Sequence, residues 1–234
     1  MKKIMIAALL IVAILVGGTG CMLKKVMDAG DTKWINQQAI DLLEAKYGEV
    51  FTYAAPCGDS TTGTREFYVT CNSLPDQRIL VQIENFREKD RVVRDNYLAV
   101  KYQAETVAFL KEYMAAACPD VNVFYEVPQN GTSEDLGASA TFEEYLADDR
   151  ARLTVMAELK SGSCAGKTAI EEAVSRIAET CKNMVLTIIV VEDDVFGTLD
   201  RDGLNHRIAK KDYVIQATVY IEGDHIKWTW RGEE

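Results

Sequence analysis

The sequence predicts an α+β protein, and three observations lead to this class. Apolar residues in 33–47 recur at helical spacing, which predicts an amphipathic helix. Short strand-like stretches separated by turn residues then follow between 50 and 84, as is typical of an antiparallel meander. In the second half, a strand, a helix and an apolar strand precede a C-terminal hairpin, which predicts a βαβ unit followed by two paired strands.

The first half opens with the amphipathic helix and continues as the meander. The predicted buried face of the helix is formed by Ile35, Ala39, Leu42, Leu43 and Tyr47. Glycine, proline and small polar residues predict turns near 56–63 and 72–76. The strands predicted around these turns are 50–54, 66–71 and 78–84.

A long helix and one more strand complete this half. Apolar residues at helical spacing predict a helix over 93–118, which Pro119 ends, and 121–127 then predicts a strand. The turn-rich stretch 129–135 is the predicted linker. The domain prediction is therefore one α+β lobe over 32–128 and another over 136–234, with a single continuous domain over 32–234 as the alternative.

In the second half, helices alternate with strands before the terminal hairpin. Thr141 and Glu144 have the spacing of a capping box at the start of a short helix. The apolar strand near 184–191 suits a sheet interior and predicts a right-handed parallel crossover from the strand before it. The predicted elements of this half are helices at 141–147, 167–181 and 200–210, and strands at 153–159, 184–191, 213–221 and 225–231.

The chain is acidic, with 26 basic and 36 acidic residues and a net charge of −10. Since nucleic-acid phosphates are also negative, we expect no nucleic-acid partner. The sequence has no CxxC pair, and His206 lies far from His225. We therefore expect no metal site and no cofactor.

Five cysteines follow Cys21, and sequence alone leaves their pairing open: Cys57, Cys71, Cys118, Cys164 and Cys181. Cys57 could bridge to Cys71, although a simple hairpin register argues against it. Cys118 fits a helix-end thiol near the core, and Cys181 fits a buried, inert thiol. An odd number predicts at least one free thiol or an intermolecular bond.

The N-terminus has the parts of a secretory signal peptide. Lys2 and Lys3 precede the uncharged run Ile4–Val16, whose 13 residues are too few for a membrane-spanning helix, which needs roughly 17–25. Gly18-Thr19-Gly20-Cys21 resembles the lipobox of bacterial membrane lipoproteins, with Gly18 where leucine is common. An ordinary secretory leader, or a disulfide at Cys21, is the alternative.

The lipobox resemblance implies where the protein sits. Cleavage of the signal peptide 1–20 between Gly20 and Cys21 would follow attachment of a diacylglycerol to the Cys21 sulfur. Further fatty acid such as palmitate would complete the anchor, leaving 21–31 as a lipidated tether. The resemblance therefore implies a lipid-anchored protein on the extracytoplasmic face of the bacterial cell membrane.

Three motifs suggest sharper chemistry and are each set against a plainer interpretation. The stretch 161–168 ends in Gly-Lys-Thr like a phosphate-binding loop, but Ser161 replaces the first glycine, so a polar turn is favoured. A reactive thiol at Cys164 has no histidine nearby in sequence. Asp200 and Asp202 suit a helix cap better than a calcium loop, and the acidic run 192–194 suits a solvated loop.

Aromatic side chains on the last hairpin form a candidate ligand platform, with His225 at the turn: Tyr220, His225, Trp228 and Trp230. By alternation, Ile226, Trp228 and Trp230 share one face. The alternative is that this face covers the core.

Without a catalytic constellation, we expect a non-enzymatic binding or assembly module at the membrane, with a protein or cell-wall ligand. The alternative is a lipid-tethered envelope hydrolase whose catalytic residues are dispersed in sequence. A concave pocket with clustered, perturbed acidic groups would favour the enzyme. An exposed apolar patch or an open sheet edge would favour the binding module.

Overall fold

The fold is α+β, as predicted, with one antiparallel and one mixed sheet. The computed structural model describes residues 32–59, 63–86, 88, 90–128 and 136–232. Three predicted segments lie outside these residues: the signal peptide 1–20, the tether 21–31 with Cys21, and the linker 129–135. Among the described helices, none combines the length and the apolar character that crossing a membrane requires.

The first sheet contains four strands in the order β1-β2-β3-β4, preceded by one helix. Their bounds are α1 (32–47), β1 (Phe51–Asp59), β2 (Arg65–Cys71), β3 (Leu74–Glu84) and β4 (Val92–Asp95). Every neighbouring pair is antiparallel, so the predicted meander is confirmed.

Two predicted turns of the meander are shorter than expected. β1 continues through Pro56 to Asp59, and its pairing with β2 shifts register between Tyr53 and Ala55 and again between Pro56 and Gly58. β1 is an edge strand, where a bulge and a proline without an N–H are tolerated. The turn predicted at 72–76 is also wrong beyond residue 73, since β3 begins at Leu74.

The long helix predicted over 93–118 starts too early. Val93 pairs with Ile83 in β4, and two helices follow, α2 (Tyr97–Lys101) and α3 (Gln103–Ala115). Asn96 joins strand to helix: its side chain accepts from the Leu80 N–H at 2.7 Å and donates to the Pro128 carbonyl at 3.1 Å. Valine spacing fits a helix, but pairing with β3 decides the conformation.

The second sheet contains five strands in the order β5-β6-β7-β8-β9. The bounds of its elements are β5 (Val121–Glu126), α4 (Phe142–Ala147), β6 (Leu153–Lys160), α5 (Lys167–Thr180), β7 (Asn183–Val191), α6 (Arg201–Lys210), β8 (Ile215–Glu222) and β9 (His225–Gly232). β6 and β7 are parallel, and β8 and β9 form a hairpin, so both predictions are confirmed. The capping box of Thr141 and Glu144 is also present.

One buried cluster joins the two sheets. It includes Phe67 and Ile79 of the first sheet together with Val155 and Leu186 of the second. A smaller cluster, containing Met156 and other apolar residues, fills the opposite face of the second sheet beneath α6. β5 precedes the predicted linker but pairs with β6, which follows it. The division into two lobes stays a prediction.

A disulfide between Cys118 and Cys164 ties the end of α3 to the loop before α5. The expected helix-end thiol at Cys118 is therefore wrong, and so is the reactive thiol at Cys164. Among the described residues, Cys57, Cys71 and Cys181 are free thiols. The register places Cys71 opposite Phe51, which explains why Cys57 does not reach it.

Candidate functional site: the surface around the first helix

Large exposed apolar side chains concentrate around α1. Among the described residues there are five such side chains, and four lie between residues 34 and 53: Trp34, Leu42, Val50 and Tyr53. We call these four the α1 surface. Trp34 and Leu42 are each 56% exposed. The predicted burial of Leu42 is wrong, whereas Ala39, Leu43 and Tyr47 are buried.

The first of two grooves along α1 lies between the helix and the β4 side of the sheet. It has a volume of about 480 Å³ and is lined by Trp34, Leu42, Ile83, Arg91 and Val93, among others. The Arg91 guanidinium lies 5.4 Å from the centre of the Trp34 ring, a cation–π contact, and donates to Gln38 at 3.2 Å. The groove is therefore apolar, with a polar rim.

The second groove lies on the other side of α1, against β1 and β2. Its volume is about 360 Å³, and Lys33, Ile40 and Tyr53 are among its lining residues. The buried Arg65 donates from Nε to Asn36 Oδ1 at 2.7 Å, which fixes the helix to β2. Tyr53 stacks on Phe67 with ring centres 5.6 Å apart, so its ring is held in place while 41% of the residue stays exposed.

A buried carboxylate fixes the C-terminal end of α1. Asp95 is 4% exposed and accepts from the Tyr47 hydroxyl at 2.8 Å and from the Tyr97 N–H at 3.0 Å. The ammonium of Lys46 lies 3.2 Å from its other oxygen. Because these donors satisfy both oxygens, α1 is held firmly at this end.

Beside this end lies a polar cluster around Glu49. Burial raises the pKa of Glu49, but hydrogen bonds from Ser73 and Tyr97 outweigh it and hold that pKa below its ordinary value. Burial and the bond to Glu49 raise the pKa of Tyr97. Glu49 lines neither groove. A carboxylate held ionised in this way is a poor general base.

The predicted aromatic platform is divided between two faces of the β8–β9 hairpin. Trp228 and Trp230 pair with Val219 and Ala217, and their rings stack 5.1 Å apart against the core. Tyr220 instead pairs with Lys227, and His225 with Glu222, on the opposite face. The structure therefore does not bring the four residues together. The two-residue turn fixes this register and could have revealed it.

The loop that resembles a phosphate-binding loop uses its amides internally. The Gly162 N–H donates to Asp193 Oδ1 at 2.8 Å, and the Ala165 N–H donates to the Ala117 carbonyl at 2.9 Å. The carboxylate of Asp193 thus lies where a phosphate would bind. Since no open nest of amides faces outward at Gly162, the structural premise of nucleotide binding is wrong.

The remaining predicted sites have structural partners. Asp200 caps α6 by accepting from the Gly203 N–H at 2.9 Å, as expected. Cys181 is buried, and burial raises its pKa to about 12, so the thiol is inert as predicted. In the described residues, no group of three or more His, Cys, Asp or Glu side chains is placed to hold a metal ion.

Sequence reasoning missed Trp34, Arg91 and Tyr53. Trp34 lies off the predicted apolar face of α1, and an aromatic ring on the polar side of an amphipathic helix is a signal that could have identified it. No signal in the sequence places Arg91 or Tyr53 beside the helix, because both contacts depend on sheet packing.

Comparisons with known proteins add little. No protein-family model matches the chain, and no curated protein matches it. Among solved structures, it is similar to a DUF5037 family protein from Ruminococcus gnavus ATCC 29149. That match has 12% identity and a TM-score of 0.42, and it covers 82% of this chain and 94% of the other. A likeness at this level carries no conclusion about function.

Proposed function

We propose that this protein is a bacterial lipoprotein, anchored on the extracytoplasmic face of the cell membrane, that acts as a non-enzymatic binding or assembly module. The observation that carries the proposal is the N-terminal order of a basic start, the apolar run Ile4–Val16 and Gly18-Thr19-Gly20-Cys21. Attached acyl chains would hold the protein at the bilayer, since each buried methylene contributes about 0.8 kcal/mol.

What supports the binding role is the α1 surface. Leu42 and Val50 are aliphatic and 56% and 69% exposed, which is a poor arrangement for a chain with no partner. α1 is fixed by Asp95 at one end and by the Asn36–Arg65 contact nearer the other, so these side chains stand on a rigid support. Such preorganisation favours docking of a protein or cell-wall ligand.

Metabolic labelling with a radioactive fatty acid tests the anchor. We expect wild-type protein to take up the label and Cys21→Ser to take up none and accumulate as the uncleaved precursor. Cys57→Ser is the matched control, because it removes another exposed cysteine and should be labelled normally. A wild-type protein without label would overturn the lipoprotein proposal.

Photo-crosslinking in intact cells tests the binding role separately. A photoreactive residue at position 42, on the α1 surface, should give a discrete adduct with a partner. The same residue at position 229, exposed on the second sheet, is the control and should give none. Equal adducts at both positions, or none at position 42, would contradict a binding role for this surface.

A further inference from the structure

The two halves of the α1 surface differ in chemistry. Trp34 and Tyr53, its aromatic members, lie beside the first turns of α1, and the aliphatic Leu42 lies two turns further on. Lys33, which lines the second groove with Tyr53, is exposed, and Arg91 lies against the Trp34 ring. We call Lys33, Trp34, Tyr53 and Arg91 the tether end.

The tether end lies where the chain arrives from the lipid anchor. About ten residues separate Cys21 from α1, which is described from residue 32. An extended chain of that length spans at most roughly 35 Å. The first turn of α1 therefore stays within that distance of the bilayer, and it is the part of the described fold nearest the anchor along the chain.

The side chains of the tether end suit a lipid–water interface. Trp and Tyr combine an apolar ring with one polar group, and they are enriched where membranes meet water. Lysine and arginine near an anionic leaflet each contribute about 1 kcal/mol of attraction. The tether itself adds Lys24 and Lys25 to this positive charge.

The charge of the whole chain argues against a second copy as the occupant. Removal of Lys2 and Lys3 with the leader leaves 24 basic and 36 acidic residues, a net charge of −12. Two such chains repel each other at long range. The local positive charge at the tether end is complementary to anionic lipid and not to another acidic copy.

We infer that the tether end docks on the bilayer surface, with Trp34 and Tyr53 at the interface and Lys33 and Arg91 against anionic headgroups. This inference rests on the proposed lipid anchor, which keeps the protein at high local concentration so that a weak contact is sufficient. Docking fixes the orientation of the fold and leaves the Leu42 end of α1 directed away from the membrane.

Fluorescence quenching tests the inference on the full lipidated chain. The protein is reconstituted in vesicles of phosphatidylcholine and phosphatidylglycerol whose acyl chains are brominated, and its emission is compared with that in unbrominated vesicles. The chain has three tryptophans, and Trp228 and Trp230 pack against the core. We expect a quenched component in wild-type protein that Trp34→Phe removes and Tyr220→Ser, a change at an exposed tyrosine on the second sheet, leaves in place.

Two further measurements separate the outcomes. Lys33→Gln with Arg91→Gln should reduce the quenching in vesicles that contain phosphatidylglycerol and change it little in pure phosphatidylcholine. Quenching that is absent, or unaffected by Trp34→Phe, overturns membrane docking even when fatty-acid labelling succeeds, and the tether, a second copy or a protein would then cover Trp34. Failure of the labelling itself overturns the proposed function instead.

Discussion

In the second sheet, Trp228 and Trp230 stack on each other and pack against the core, whereas beside the first sheet Trp34 and Tyr53 are 56% and 41% exposed. The second sheet also pairs all its strands without a register shift, while β1 and β2 are irregular. The comparison teaches that apolar side chains serve stability in one region and remain available for contacts in the other.

Removal of the disulfide should have the largest effect on stability. Cys118 and Cys164 are 46 residues apart, and a loop of that size corresponds to about 4 kcal/mol in the chain-entropy account. We expect Cys118→Ala with Cys164→Ala to lower the free energy of unfolding by roughly 2–4 kcal/mol, measured by urea denaturation. Cys57→Ala is the control and should change it by less than about 0.5 kcal/mol. An unchanged midpoint in the double variant would show that the bond does not stabilise this region.

Matched tryptophan substitutions test the comparison directly. Trp230→Ala removes a ring that packs on the core, so it should destabilise the fold by about 2 kcal/mol. Trp34→Ala removes an exposed ring and should cost less than about 0.5 kcal/mol. Equal losses in urea denaturation would mean that the ring of Trp34 is structural, and the distinction between the two regions would fail.

The smallest effect is a pH dependence at the end of α1. The folded state holds the pKa of Glu49 below its ordinary 4.5, so this carboxylate stabilises the fold above that pH. The stabilisation is lost as the pH falls through the lowered pKa. Glu49→Gln should therefore flatten the loss of stability between about pH 5 and pH 3, followed by thermal melting. Glu112→Gln, at an exposed position on α3, should keep the wild-type slope.

The sequence predicted most elements correctly wherever the local pattern was sufficient. The alternation of β6, β7 and the β8–β9 hairpin, the helical spacing of α5 and the capping box at Thr141 each depend on residues close together in the chain. The helix predicted from residue 93 is wrong because Val93 fits helical spacing as well as a strand. Only its pairing with Ile83 distinguishes the two.

The candidate site was less accessible to sequence reasoning. The exposure of Leu42 depends on which part of α1 the first sheet covers, and the contact of Arg91 with Trp34 joins residues 57 positions apart. The disulfide likewise needed the end of α3 to approach the loop before α5. Such contacts form only when distant segments pack, and no local periodicity encodes them.

The sequence by itself determined the α+β class, the meander, the parallel crossover and the terminal hairpin, because periodicity and capping act over a few residues. It also carries the leader and Cys21 on which the proposed anchor rests. Tertiary structure alone decided which cysteines pair, which aromatic rings enter the core and which remain at the surface of α1. These outcomes depend on packing between the two sheets and the helices that cover them, where the gain from burial is shared among residues far apart in the chain.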